Sequence, residues 1–150
     1  MKFKNFIKIF FAILFVFVST HSYAKTIKWS MQGDSLTLDP HAQNEGPTTQ
    51  VSRQVYEALV TRGLDMSIEP QLATDWKTTD PNTWVFNLRK DVKFSDGTDM
   101  TAKDVVFSIL RAKQPTSDFK EYISTISDVK EIDNYTVQVS TSKPNPILLN

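Results

Sequence analysis

The chain contains no cysteine and only four glycines, Gly33, Gly46, Gly63 and Gly97, each far from the next. The first absence removes disulfides, thiolate nucleophiles and Cys-ligated zinc. The second leaves no glycine-rich loop that could cradle a phosphate. A surplus of one charge is missing as well: 17 basic side chains face 17 acidic ones in 150 residues. Nucleic-acid binding draws much of its affinity from excess Lys and Arg, so nothing here points to it. Histidine is scarce, with only His21 and His41, and neither G-x-S-x-G nor H-E-x-x-H occurs. His41 as a lone metal ligand is a weak reading, because zinc-type sites recruit several ligands; a turn histidine bonded to nearby backbone is the stronger one. Asp96 and Asp99 make a carboxylate pair on paper, yet around Gly97-Thr98 they read better as turn residues. Trp29, Trp76 and Trp84 could stack on a ligand, but core is the better assignment for two of the three. No enzyme, metal or cofactor is implied.

What is present begins with an uneven N-terminus. Lys2, Lys4 and Lys8 stand without any acid and are followed by the apolar run Ile9 to Val18 and the polar Ser19-Thr20-His21-Ser22-Tyr23-Ala24. That order is the layout of a secretory signal peptide, residues 1–24, with cleavage expected after Ala24. The run is about half the roughly 20 residues a membrane-spanning helix needs. Six of the ten phenylalanines crowd into this segment, which does not suit a core helix. Without it, 14 basic residues face 17 acidic ones, a net charge of −3 over 126 residues. A lipoprotein would need a cysteine after the apolar run, so no lipid anchor is expected and the periplasm is the expected location.

Along the remaining chain, Thr26 to Met31 alternates with Ile27, Trp29 and Met31 on one side, predicting a strand. Asp39-Pro40 signals a turn, and Asn44-Glu45-Gly46-Pro47 a loop. From Pro47, the spacing of Val51, Val55 and Leu59 predicts a helix that stops at Gly63. Residues 64 to 83 read as loop with short extended pieces. Trp84 to Arg89 predicts a strand with Trp84, Phe86 and Leu88 on one face. Ser95-Asp96-Gly97 predicts a turn, and Thr101 with Asp104 a capping box that opens a helix ending near Lys113, before Gln114-Pro115. Residues 119 to 127 are ambiguous. Val129 to Ser140 predicts a hairpin about Asp133-Asn134, and Pro146 the first turn of another helix.

Three ordered runs then carry a resemblance. Pro70 to Trp76, Trp84 to Thr98 (WVFNLRKDVKFSDGT) and Thr101 to Ser108 (TAKDVVFS) are similar to the signature of family 5 extracellular solute-binding proteins. Ser35 to His41 resembles that family's early LDP element, and Arg53 to Val60 the helix after it. The resemblance implies an α/β fold of the periplasmic binding protein type II kind. The chain would supply a partial first lobe (residues 25–150), with a small mixed or antiparallel sheet and flanking helices. It implies a protein that captures short peptides and delivers them to the permease and ATPase of an ABC importer. A monomer is expected, with no nucleic acid as partner. A truncated remnant lobe, or a binder of a nickel complex, haem, opine or sugar, is the alternative. Relatives pair extended backbone with the peptide after the LDP element, which maps to Asn44, Glu45, Gly46 and Pro47; Tyr122 falls near an aromatic pocket wall. These five also read as ordinary turn and surface residues, and for Tyr122 that is the stronger reading. The family's members are several times longer, so the selecting residues are expected beyond position 150.

Overall fold

The computed structural model describes residues 26–149. The proposed leader and its cleavage point lie outside the described residues. Met31–Asn150 forms one folded unit, and residues 26–30 fall in another. The strand expected at Thr26–Met31 is absent: Ile27 and Trp29 are exposed and the segment makes no ladder. Alternation alone does not hold a strand, which needs a hydrogen-bonded neighbour.

The described residues hold two helices and six strands. α1 is Gly46–Ser52, β1 Val60–Arg62, β2 Ile68–Pro70, β3 Ala73–Asp80, β4 Thr83–Leu88, α2 Ala102–Ala112, β5 Ile126–Asp133 and β6 Thr136–Thr141. β1 and β2 form a two-stranded sheet, and the other four strands one antiparallel sheet in the order β3-β4-β6-β5. The α/β class therefore stands, with every strand pair antiparallel.

The core lies where α2 packs on this sheet. Phe86 and Leu88 of β4 meet Val137 and Val139 of β6, Ile126 and Val129 of β5, and Ala102 and Val105 of α2. Register explains the set: Trp76, Phe86 and Val137 stand in one cross-strand row, and Trp84, Val139 and Val129 in the next. Trp76 and Trp84 pack partly buried against that core, whereas Trp29 is exposed.

α2 opens as the sequence indicates. The Asp104 carboxylate accepts from the Thr101 N–H (2.7 Å) and from its hydroxyl (2.9 Å), satisfying a donor the helix leaves orphaned. At the turn before it, Asp96 Oδ1 accepts from the Thr98 N–H and hydroxyl, and Gly97 takes φ +89°. Asp99 instead pairs with Lys93. The two aspartates thus serve separate contacts, as turn residues do.

Two expectations fail in the middle of the chain. α1 ends at Ser52, far short of Gly63, and Val55 is left exposed. Ala58 and Leu59 spend their carbonyls on the N–H groups of Leu72 (3.0 Å) and Ala73 (2.9 Å), and Val60–Arg62 pairs with Ile68–Pro70. Long-range ladder bonds and the β-branched pair Val60-Thr61 override the helical spacing. Within residues 64–83, expected as loop with short extended pieces, the structure has the eight-residue strand β3, whose Asp75, Lys77, Thr78, Thr79 and Asp80 make it polar. It is an edge strand, and such strands carry charge on their solvent side.

Candidate functional site

The segment from Leu36 to Glu45 contains no helix or strand, so contacts with other parts of the chain must hold it. Five tethers do so. The Thr48 hydroxyl, on a side chain buried in α1, accepts from the Leu36 N–H (3.2 Å). The Tyr56 hydroxyl donates to the Leu38 carbonyl (3.0 Å). Arg111, in the last turn of α2, grips Asp39 with both arms, Nη1 to Oδ1 at 2.8 Å and Nη2 to Oδ2 at 2.6 Å. The His41 carbonyl accepts from the Asp118 N–H (3.0 Å). Finally, Asn44 Nδ2 donates to the Tyr122 hydroxyl (3.0 Å) across 78 positions of sequence.

The Asp39 turn is closed from within as well. Asp39 Oδ1 accepts from the His41 N–H (3.0 Å), so one carboxylate serves both the turn and the helix. Arg111 Nη1 lies 3.1 Å from His41 Nδ1. A guanidinium can only donate, so His41 Nδ1 accepts and its proton sits on Nε2. The electrostatics agree. The Arg111 hydrogen bond, reinforced by the His41 N–H, holds the Asp39 carboxyl well below the usual carboxylate range. Burial pushes the His41 imidazole down, and the Arg111 charge adds to that, against a smaller opposing pull from Asp39. His41 is a turn residue, but its ring partner is an arginine rather than backbone.

Of the expected ligand contacts, Asn44, Glu45, Gly46 and Pro47 lie together at the loop end, and the hydrogen bond brings Tyr122 to Asn44. Tyr122 is exposed and stands 6.1 Å, centroid to centroid, from the tilted ring of Phe119. Extended backbone reaches only Glu45 (φ −108°, ψ 149°). Gly46 and Pro47 already belong to α1, whose first turn suits a proline, and the Glu45 carbonyl accepts from the Thr49 N–H (2.8 Å). A Cβ at Gly46 would meet nothing within 4 Å, so this end of the loop borders open space. No pattern in the sequence singled out Arg111 or its grip on Asp39. The two are 72 positions apart, and no spacing rule pairs them.

A hollow of about 580 Å³ lies between α2 and residues 56–59, with Phe94, Met100, Pro40 and His41 also in its lining. It shares none of the five expected contacts.

The sequence model of the bacterial extracellular solute-binding proteins, family 5 Middle, matches residues 67–150, more than half of the chain. The chain belongs to that family. Among family 5 relatives, the periplasmic oligopeptide-binding protein OppA of Escherichia coli K12 is 36% identical over 129 residues, covering 73% of this chain and 24% of OppA. The structure of the E. coli murein tripeptide binding protein MppA superposes with a TM-score of 0.75 at 31% identity, covering 79% of this chain and 27% of MppA. A second structure, MoaA of A. tumefaciens R10 in complex with mannopinic acid, gives a TM-score of 0.72 at 35% identity, covering 77% of this chain and 25% of MoaA. The chain thus spans about a quarter of the length of the relatives it matches.

Proposed function

We propose that this chain is the first lobe of a periplasmic protein that captures short peptides and delivers them to the permease and ATPase of an ABC importer. Export would use residues 1–24 as a leader cleaved after Ala24, so that the mature protein starts at Lys25. One observation carries the binding reading: Asn44 and Tyr122, expected separately as ligand contacts, meet through a hydrogen bond beside open space. Such a pair can exchange partners with the amide groups of a peptide, whose main chain presents the same donors and acceptors whatever its side chains. The names of OppA and MppA support a peptide as the solute.

MoaA, at a comparable likeness, was crystallised with mannopinic acid, and this favours a second reading in which an opine takes the place of the peptide. Titration of the isotope-labelled protein with trialanine and with mannopinic acid, followed by NMR, separates them. Trialanine is expected to move the Asn44 side-chain amide and the Glu45 and Gly46 N–H signals at millimolar concentrations. Movement by mannopinic acid alone transfers the assignment to opines. Silence of these signals to both ligands removes the loop from the binding surface.

A further inference from the structure

We infer that Arg111 is a positioning residue for the ligand-contacting loop: it fixes the Asp39–His41 turn on the end of α2 and thereby sets where Asn44 and Glu45 stand. The inference rests on the proposed reading of that loop as the peptide contact. Its grounds are geometric. The loop has no ladder of its own, and Arg111 is the tether supplied by the long helix α2, whose Val105 and Ala112 are buried. The guanidinium engages three acceptors at once, Asp39 Oδ1, Asp39 Oδ2 and His41 Nδ1. That fixes both the position and the rotation of the turn, which a single point charge cannot do. Three residues further on, Asn44 reaches Tyr122, while the His41 carbonyl is held by Asp118 of the same 118–125 turn segment. Arg111 therefore registers the loop against α2, and Asp118 against the segment carrying Tyr122. Preorganising a contact loop in this way raises affinity by removing the ordering it would otherwise undergo on binding.

The test uses protein recovered from periplasmic expression of the full chain, as wild type, Arg111→Met and Arg111→Lys. Methionine keeps the length of the side chain without charge; lysine keeps the charge without the fork. In both variants the Asn44 side-chain amide and the Glu45 and Gly46 N–H signals are expected to collapse toward random-coil positions. Those of Val105, Val129 and Val137 should stay in place. Lysine is expected to rescue the melting temperature better than the loop signals, a split that a purely structural ion pair does not produce. Trialanine affinity should fall about five- to tenfold, the equivalent of roughly one main-chain hydrogen bond. Unchanged loop signals in Arg111→Met overturn the inference, as does loss of the core signals in both variants, which would make Arg111 a residue of the fold. If trialanine leaves the wild type unperturbed, the peptide reading fails while the loop signals still decide the role of Arg111. Equal trialanine affinity in wild type and both variants sinks the positioning role and leaves the peptide reading intact.

Discussion

Phe86 and Phe107 sit in similar apolar sequence contexts, and the fold treats them in opposite ways. Phe86 is 2% exposed at the centre of β4, between Trp76 of β3 and Val137 of β6. Phe107 is 67% exposed on the outer side of α2. A buried phenylalanine removes on the order of 150–250 Å² from water. At about 25 cal/mol per Å² that is roughly 4–6 kcal/mol, an upper bound because unfolded chains already hide some surface. Truncation to alanine keeps the Cβ but leaves a cavity, so Phe86→Ala should cost about 3–5 kcal/mol. A domain holds only about 5–15 kcal/mol in total, so this variant approaches the edge of folding. At about 3–6 °C per kcal/mol, its melting temperature should drop by roughly 10–30 °C. Phe107→Ala, with little surface to lose, should stay within about 0.5 kcal/mol of wild type. Urea unfolding of the pair, with the denaturant slope checked for constancy, measures both. A Phe107→Ala loss above about 2 kcal/mol, or a Phe86→Ala loss below about 1 kcal/mol, would refute the placement of the core between α2 and the sheet.

Gly97→Ala should cost about 1–2 kcal/mol in the same assay, since a Cβ is strained at φ +89° even though no neighbour crowds it. Asp104→Ala should cost about 1–2 kcal/mol by orphaning the Thr101 N–H. Asp104→Asn, which keeps an acceptor but loses the charge at the helix N-terminus, should cost about 0.3–1 kcal/mol, and equal losses in the two would contradict the capping role. The lowered pKa of His41 makes the unfolded state the better proton binder below its ordinary value of about 6.5. Its contribution to stability is therefore complete above that pH and declines as the pH falls toward the folded-state value. In His41→Gln that slope should flatten, which chemical denaturation from pH 5 to 8 reads directly; an unaltered slope would mean the imidazole is not held neutral.

What could be read from the sequence was what depends on neighbours in the chain. Thr101-x-x-Asp104, Ser95-Asp96-Gly97 and the alternation of Trp84, Phe86 and Leu88 each contain their own physical reason within a few residues, and all three stand where they were expected. The hairpin of β5 and β6 belongs with them, since its register is set by a turn at Asn134-Tyr135, one residue from the position read from the sequence. The misses share the opposite character. α1 stops early because residues 58–62 find partners at 68–73, and β3 escapes notice because its partner β4, not its own composition, makes it a strand. Thr26–Met31 has the right alternation but no ladder partner among the described residues, and it is not a strand at all.

The candidate site follows the same division, and this bears on how such a loop can work. Asn44, Glu45 and Pro47 were accessible through turn chemistry and family likeness, whereas the feature that holds them is a non-local contact made by one arginine. A loop stabilised by its own backbone ladder would be rigid along its whole length. This one is pinned at separate points, at Thr48, Tyr56, Arg111, Asp118 and Tyr122, with no regular structure between them. The Arg111 pin at the Asp39 turn is charged and multiply bonded, while each of the others, Asn44 to Tyr122 among them, is a single hydrogen bond between neutral groups. Charge-assisted, forked contacts are about twice as strong as neutral ones, so the loop is firmest at Asp39 and more easily released at Asn44, whose one bond joins exposed side chains. Tight at the base and exchangeable at the tip is the distribution a binding loop requires: the base fixes its direction, and the tip gives up one modest bond when a ligand offers another in its place.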